Sequence, residues 1–188
     1  MTSDRHLRCT ERVAEAVQNI VCDIVVLVQG DEPLIYPEMI DQAIEPLQND
    51  LRLACTNLMG AVDSSSSEMA SKDVVKVVCA QDFSALYMSR SLIPSDSKKV
   101  CKSYYKQLGV MAFRKKCLLD YVNLPPTPLE EAESVDMLRL IEHGIPVRMV
   151  LCRRESIGVD TPQNLLQAIR MMEADRLFLR YAKHAPLT

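Results

Sequence analysis

The sequence predicts an α/β layered fold in a single domain spanning residues 1–188. Three observations carry this. Short β-branched apolar runs alternate along the chain with segments of helical periodicity. One run, Ile24-Val25-Val26-Leu27-Val28, is apolar at every position, the pattern of a strand buried on both faces, as in a parallel sheet. Two Thr-Pro pairs, Thr127-Pro128 and Thr161-Pro162, place a capping residue before a proline in the first helical turn.

The elements follow in order. Thr10 caps a helix with Val13, Ala14, Val17 and Ile20 on its apolar side, and the strand Ile24–Val28 comes next. Pro37 opens a helix that buries Met39, Ile40, Ala43, Ile44 and Leu47, with Pro46 expected to end or kink it. Strands are expected at 53–59, 74–79, 85–88 and 107–113, and an exposed loop at 94–103. A short helix covers 115–122, and one capped by Thr127 with Glu130 at the third position runs to about His143, where Gly144 stops it. A strand at 146–151 precedes a long C-terminal helix bearing Leu165, Ile169, Met172 and Leu177.

Composition excludes several classes. With 188 residues, 48% hydrophobic and 25% charged, and only 5 Gly and 10 Pro, the chain is neither collagen-like nor of low complexity. A chain of this length buries about 70% of its unfolded surface. No apolar run approaches the roughly 20 residues of a membrane-spanning helix, and the opening MTSDRHLRCTER has no apolar signal segment. A cytoplasmic protein with no membrane partner is expected. The net charge of −3, without a basic stripe, argues against nucleic acid as a partner. The 7 cysteines contain no C-x-x-C pair and read as reduced, mostly buried thiols.

Two acidic positions stand out. After the run Ile24–Val28 the chain turns at Gln29-Gly30-Asp31-Glu32-Pro33, delivering Asp31 at a strand's carboxyl end, where α/β folds bind ligands. Asp160 sits between a strand and the helix begun by Thr161-Pro162. Two such carboxylates suit a hard cation such as Mg²⁺, which takes one or two protein carboxylates plus phosphate oxygens. Arg12, Lys76, Arg90 and Arg114 lie at plausible site edges. His6, His143 and His184 show no triad or metal spacing, and no P-loop or G-x-G-x-x-G occurs.

Four stretches together resemble the 3-deoxy-manno-octulosonate cytidylyltransferases, or CMP-Kdo synthetases: VQGDEPLI at 28–35, VVKVV at 74–78 with ALYMSR at 85–90, PPTPLE at 125–130, and GVDTPQNL at 158–165. The opening HLRCTERVAEAV is similar to the family's His-x-Ser-Gly-Thr-Glu-Arg segment. The resemblance implies a Rossmann-like nucleotidyltransferase fold with a mixed, mostly parallel central sheet. It implies an enzyme that joins CTP to Kdo or a related acidic 3-deoxy sugar, releasing pyrophosphate, for surface-glycan synthesis. It further implies Asp31 and Asp160 as catalytic Mg²⁺ ligands, Arg12 and Gln29 as nucleotide-binding residues, and a homodimer.

Departures from the family pattern shape the remaining expectations. The sugar side is expected at Gln107, where the family has His, at Met111 in place of Tyr, and at Asp136-Met137 in place of Glu-Gln. Arg8-Cys9 replaces Ser-Gly, so Arg8 is expected to block or refill the cytosine pocket. The chain begins about 60 residues into the family pattern, some two βα units, after the glycine-rich loop that holds the triphosphate. An N-terminally truncated domain that turns over CTP very poorly or not at all is the expectation, and a non-catalytic remnant that keeps the fold is the alternative.

Overall fold

The computed structural model describes residues 1–182 apart from positions 96, 99, 102 and 155. The elements, in order, are α1 (Cys9–Val17), β1 (Ile24–Val28), α2 (Pro37–Asn49), β2 (Cys55–Val62), β3 (Lys76–Cys79), β4 (Ala85–Ser89), β5 (Tyr104–Arg114), α3 (Lys115–Tyr121), α4 (Pro128–Glu133), α5 (Met137–Glu142), β6 (Val147–Cys152), α6 (Pro162–Glu173) and α7 (Arg176–Ala182). The layered α/β architecture is as expected. The expected loop at 94–103 includes three positions outside the described residues, and His184 lies outside them too.

The direction of the strands corrects the expectation of a mostly parallel sheet. The order is β4-β3-β5-β2-β6, with β1 also pairing β5, and only β2 and β6 run parallel. β5 is antiparallel to β1, β2 and β3, and β3 is antiparallel to β4. A continuous apolar run reports burial on two faces and carries no information about direction. Both faces are indeed covered. Met39, Ala43 and Leu47 of α2 pack on Leu58, Leu108, Val110 and Ala112. On the other face Ala14, Leu118, Tyr121, Leu138 and Leu140 meet Val25, Leu27, Met111, Phe113 and Met149. Each fully buried side chain of this size contributes roughly 1.5–3 kcal/mol.

One edge of β5 is shared by two strands. β1 pairs with Val110 to Arg114, whereas β3 pairs only with Tyr105 and Lys106. Between them, Gln107 to Gly109 faces the gap where β1 and β3 part.

Several local readings change. Gly30 has an ordinary φ, whereas Gly144, the expected helix stop, has φ +74°. Pro46 lies within α2, which continues to Asn49. Arg8, not Thr10, is the residue before α1. The helix expected from Thr127 to His143 breaks into α4 and α5, because Ser134 adopts a left-handed conformation with φ 54°. The long C-terminal helix divides likewise into α6 and α7. Across the α4–α5 break the buried Glu130 accepts from Arg139 Nε at 2.6 Å and Nη2 at 2.7 Å, and from Tyr121 Oη at 3.1 Å. The Arg139 guanidinium lies 4.3 Å from the Tyr121 ring centre.

Candidate active site

The gap on β5 is closed by the loop that follows β1. Gln29 N–H donates to Gly109 O at 2.9 Å, continuing the β1 ladder by one residue. Gln107 N–H donates to Val75 O at 2.8 Å on the β3 side. Between the two, Gly109 N–H donates to Glu32 Oε1, and Ser156 Oγ donates to Glu32 Oε2 at 2.6 Å. Burial raises the Glu32 carboxyl above its ordinary pKa, against the opposing pull of the Ser156 and Gly109 bonds. Gly109 is required by close approach. A Cβ there would lie 2.5 Å from Glu32 Oε1 and 2.8 Å from Gln29 Oε1.

The 156–160 segment is tied to the same loop a second time, since Val159 N–H donates to Asp31 O at 2.8 Å. Asp31 and Asp160 thereby open into one cavity of about 1100 Å³. Partial burial and the negative charges of Asp31 and Asp73 raise the Asp160 carboxyl above its ordinary pKa, with Arg90 opposing. Two neighbouring carboxylates with all-oxygen donors fit a hard cation that also binds phosphate. Among the described residues no group of three or more His, Cys, Asp or Glu side chains placed to hold a metal occurs.

Gln29, Gln107, Met111 and Asp136 also line the cavity. Met111 presents little surface there, being 1% exposed. Asp136 accepts from Thr10 Oγ1 at 2.6 Å. Arg12 and Met137 are not brought to the cavity. Arg12 binds Thr2 Oγ1 at 2.7 Å and Ser3 O at 2.8 Å, and Met137 is fully buried in the core. Arg8 is not in the cavity either: it turns to the α4–α5 break, donating to Ser134 Oγ at 2.7 Å and approaching Glu130 and Asp136.

Of the basic residues at site edges, Arg90 lines the cavity and is held by Glu133 O at 2.8 Å and Lys72 O at 3.0 Å. Lys76 is fully buried and donates to the carbonyls of Ser71, Val74 and Arg90. Arg114 caps the end of α2 through Leu47 O at 2.6 Å. Glu32, Asp73 and Ser156 were missed as cavity residues; only the proximity of Glu32 to Asp31 in sequence could have pointed to one of them.

The chain is similar to known proteins over most of its length. A family described as cytidylyltransferase matches residues 1–157. The 3-deoxy-manno-octulosonate cytidylyltransferase of Pelobacter propionicus is 40% identical over 182 residues, covering 89% of this chain and 70% of that protein. The protein of the same name from Geobacter metallireducens is also 40% identical, over 186 residues, with 92% and 72% covered. The solved structure of a CMP:2-keto-3-deoxy-manno-octonic acid synthetase complexed with CTP superposes with a TM-score of 0.84 at 34% identity, covering 92% of this chain and 71% of that one. A glucose-1-phosphate thymidylyltransferase structure from Bacillus anthracis, at 15% identity and a TM-score of 0.62, shares the fold. With Asp31 and Asp160 facing one cavity and relatives of this closeness matched over nine-tenths of its length, the chain belongs to the 3-deoxy-manno-octulosonate cytidylyltransferase family.

Proposed function

We propose that the cavity binds CTP and an acidic 3-deoxy sugar of the Kdo type and transfers the cytidylyl group between them. A sugar hydroxyl oxygen attacks the α-phosphorus of CTP, the bond from that phosphorus to the bridging oxygen breaks, and pyrophosphate leaves with the electron pair. The hydroxyl proton is lost to solvent. Such transfers depend on positioning and on charge neutralisation more than on covalent chemistry by the protein.

Asp31 and Asp160 would hold Mg²⁺, which when bound neutralises phosphate charge and fixes the phosphate relative to the attacking oxygen. The remaining work falls to the chain. Gln29 contributes an amide at the end of β1 to the nucleotide. Arg90, anchored on two backbone carbonyls, offers a fixed positive charge for an acidic substrate. Gln107, Met111 and Asp136 line the sugar side. The homodimer and the cytoplasmic location implied by the sequence resemblance belong to this proposal. No helix among the described residues is long and apolar enough to cross a membrane.

The observation that carries the reading is the Val159–Asp31 hydrogen bond, which sets the two acidic loops side by side at the cavity. The test is formation of CMP-Kdo and pyrophosphate from CTP and Kdo with Mg²⁺. Product from the wild-type chain, lost in both Asp31→Asn and Asp160→Asn, supports the reading. No product together with no calorimetric binding of CTP in the presence of Mg²⁺, or equal rates in the variants, overturns it.

A further inference from the structure

One side-chain pair, the buried Asn57 and the cavity-lining Gln107, has a geometry that fixes its chemistry. Asn57 lies in β2 and is fully buried, where the β2–β5 register shifts between Asn57 and Met59. Its Nδ2 has three backbone carbonyl oxygens within reach, those of Leu108 at 2.8 Å, Val110 at 3.0 Å and Leu58 at 3.1 Å. Carbonyl oxygens only accept, so the Asn57 amide has a single orientation and Oδ1 must point the other way. What it meets is Gln107, whose Nε2 donates to Asn57 Oδ1 at 2.6 Å. Gln107 is thereby oriented in turn. Its Oε1 accepts from no group among the described residues, is not shut away from solvent, and belongs to a residue that lines the cavity.

We propose that Asn57 is a positioning residue that locks the Gln107 amide with its carbonyl oxygen toward the ligand, so that this wall selects a sugar donating a hydroxyl there. A flippable amide would serve donors and acceptors alike; a locked one serves donors only. The oxygen is uncharged, so an ionised carboxylate finds no partner at this point. The acidic end of the sugar is therefore directed away from Gln107, and the hydroxylated end toward it. The inference rests on the functional reading above and adds to it the polarity and orientation of the sugar.

Two measurements test it on the whole chain. The first needs no ligand: the side-chain amide resonances of Gln107 should be protected from solvent exchange in the wild type and lose that protection in Asn57→Ala. Unprotected resonances in the wild type overturn the positioning role. The second is calorimetric binding of Kdo, with CTP and Mg²⁺ present, against a series of singly deoxygenated analogues. One analogue should bind the wild type about tenfold or more weakly than Kdo, and should bind Gln107→Met as well as Kdo does. Equal discrimination in wild type and Gln107→Met overturns the selectivity. Because Gln107→Met leaves the buried Asn57 carbonyl contacts in place, it decides the matter even if Asn57→Ala fails to fold. A wild type that protects Gln107 yet binds no acidic 3-deoxy sugar overturns the functional reading and the selectivity, and leaves the positioning role standing.

Discussion

Val159 and Asp31 are joined backbone to backbone, N–H to carbonyl at 2.8 Å, across 128 residues of chain. This bond brings two carboxylates to one cavity, and like charges placed together cost folding energy, here only partly offset by Arg90. Neutralising either acid should relieve that cost. Asp160→Asn should therefore melt at a higher temperature than the wild type in metal-free buffer while losing Mg²⁺-dependent product formation. An unchanged or lower melting temperature would show that the two charges do not burden the fold.

Glu32 accepts a hydrogen bond at each carboxyl oxygen, from Gly109 N–H and from Ser156 Oγ. Glu32→Leu removes both acceptors and leaves Gly109 N–H and the Ser156 hydroxyl without this partner. The expected loss is about 1–3 kcal/mol in urea unfolding. Ser156→Ala should lose part of the same interaction, so the double variant should fall short of the sum of the two singles. Strict additivity would separate the two residues energetically.

Two glycines make a contrasting pair. Gly109→Ala forces a methyl group into the Glu32 and Gln29 side chains and should cost about 1–3 kcal/mol. Gly30→Ala meets nothing within 4 Å and has an ordinary φ, so its unfolding midpoint should match the wild type. If Gly30→Ala proves the more damaging of the two, the placement of the loop after β1 is wrong.

The Glu130–Arg139 pair sets an acid limit on stability. Burial pushes the Glu130 carboxyl up, but Arg139, Tyr121 and Thr127 together outweigh it and hold the group below its ordinary value of 4.5. A carboxyl lowered on folding stabilises the protein above its unfolded pKa, and the stabilisation is lost as pH falls through the folded pKa. Wild-type stability should thus decline as pH falls below about 4.5, and Glu130→Gln should show less of this decline. Arg139→Met, which strands a buried charge, should cost about 3–5 kcal/mol at neutral pH.

The parts legible in sequence were those with local causes. Thr161-Pro162 started a helix because the Thr161 side chain and Asn164 bond reciprocally within three residues. Ile24–Val28 was a strand with the expected bounds, because burial on two faces leaves no polar position. Asp31 and Asp160 were found because strand ends and helix starts mark where loops meet a ligand. Strand direction was not legible, since β5 reverses against three partners that lie far apart in sequence. The break at Ser134 had no glycine to announce it. Asn57 and Glu32 escaped because their partners are fixed by register, a shift in one case and a missing ladder position in the other.

The divided edge of β5 also separates the sheet into parts of unequal hold. β2 is paired with β5 at seven positions and β6 with β2 at six, but β3 joins β5 at only two, Lys76↔Lys106 and Val77↔Tyr105. Beyond these the hairpin is tied to the body by single bonds, Gln107 N–H to Val75 O and Met149 N–H to Phe83 O, so the β3–β4 hairpin should open at a lower free energy than the β1–β5–β2–β6 body. Its amide hydrogens should exchange with deuterium earlier, leaving Val110 to Phe113 among the slowest in the chain. Arg90 follows this hairpin directly, so each such opening widens the cavity on the side of its fixed positive charge.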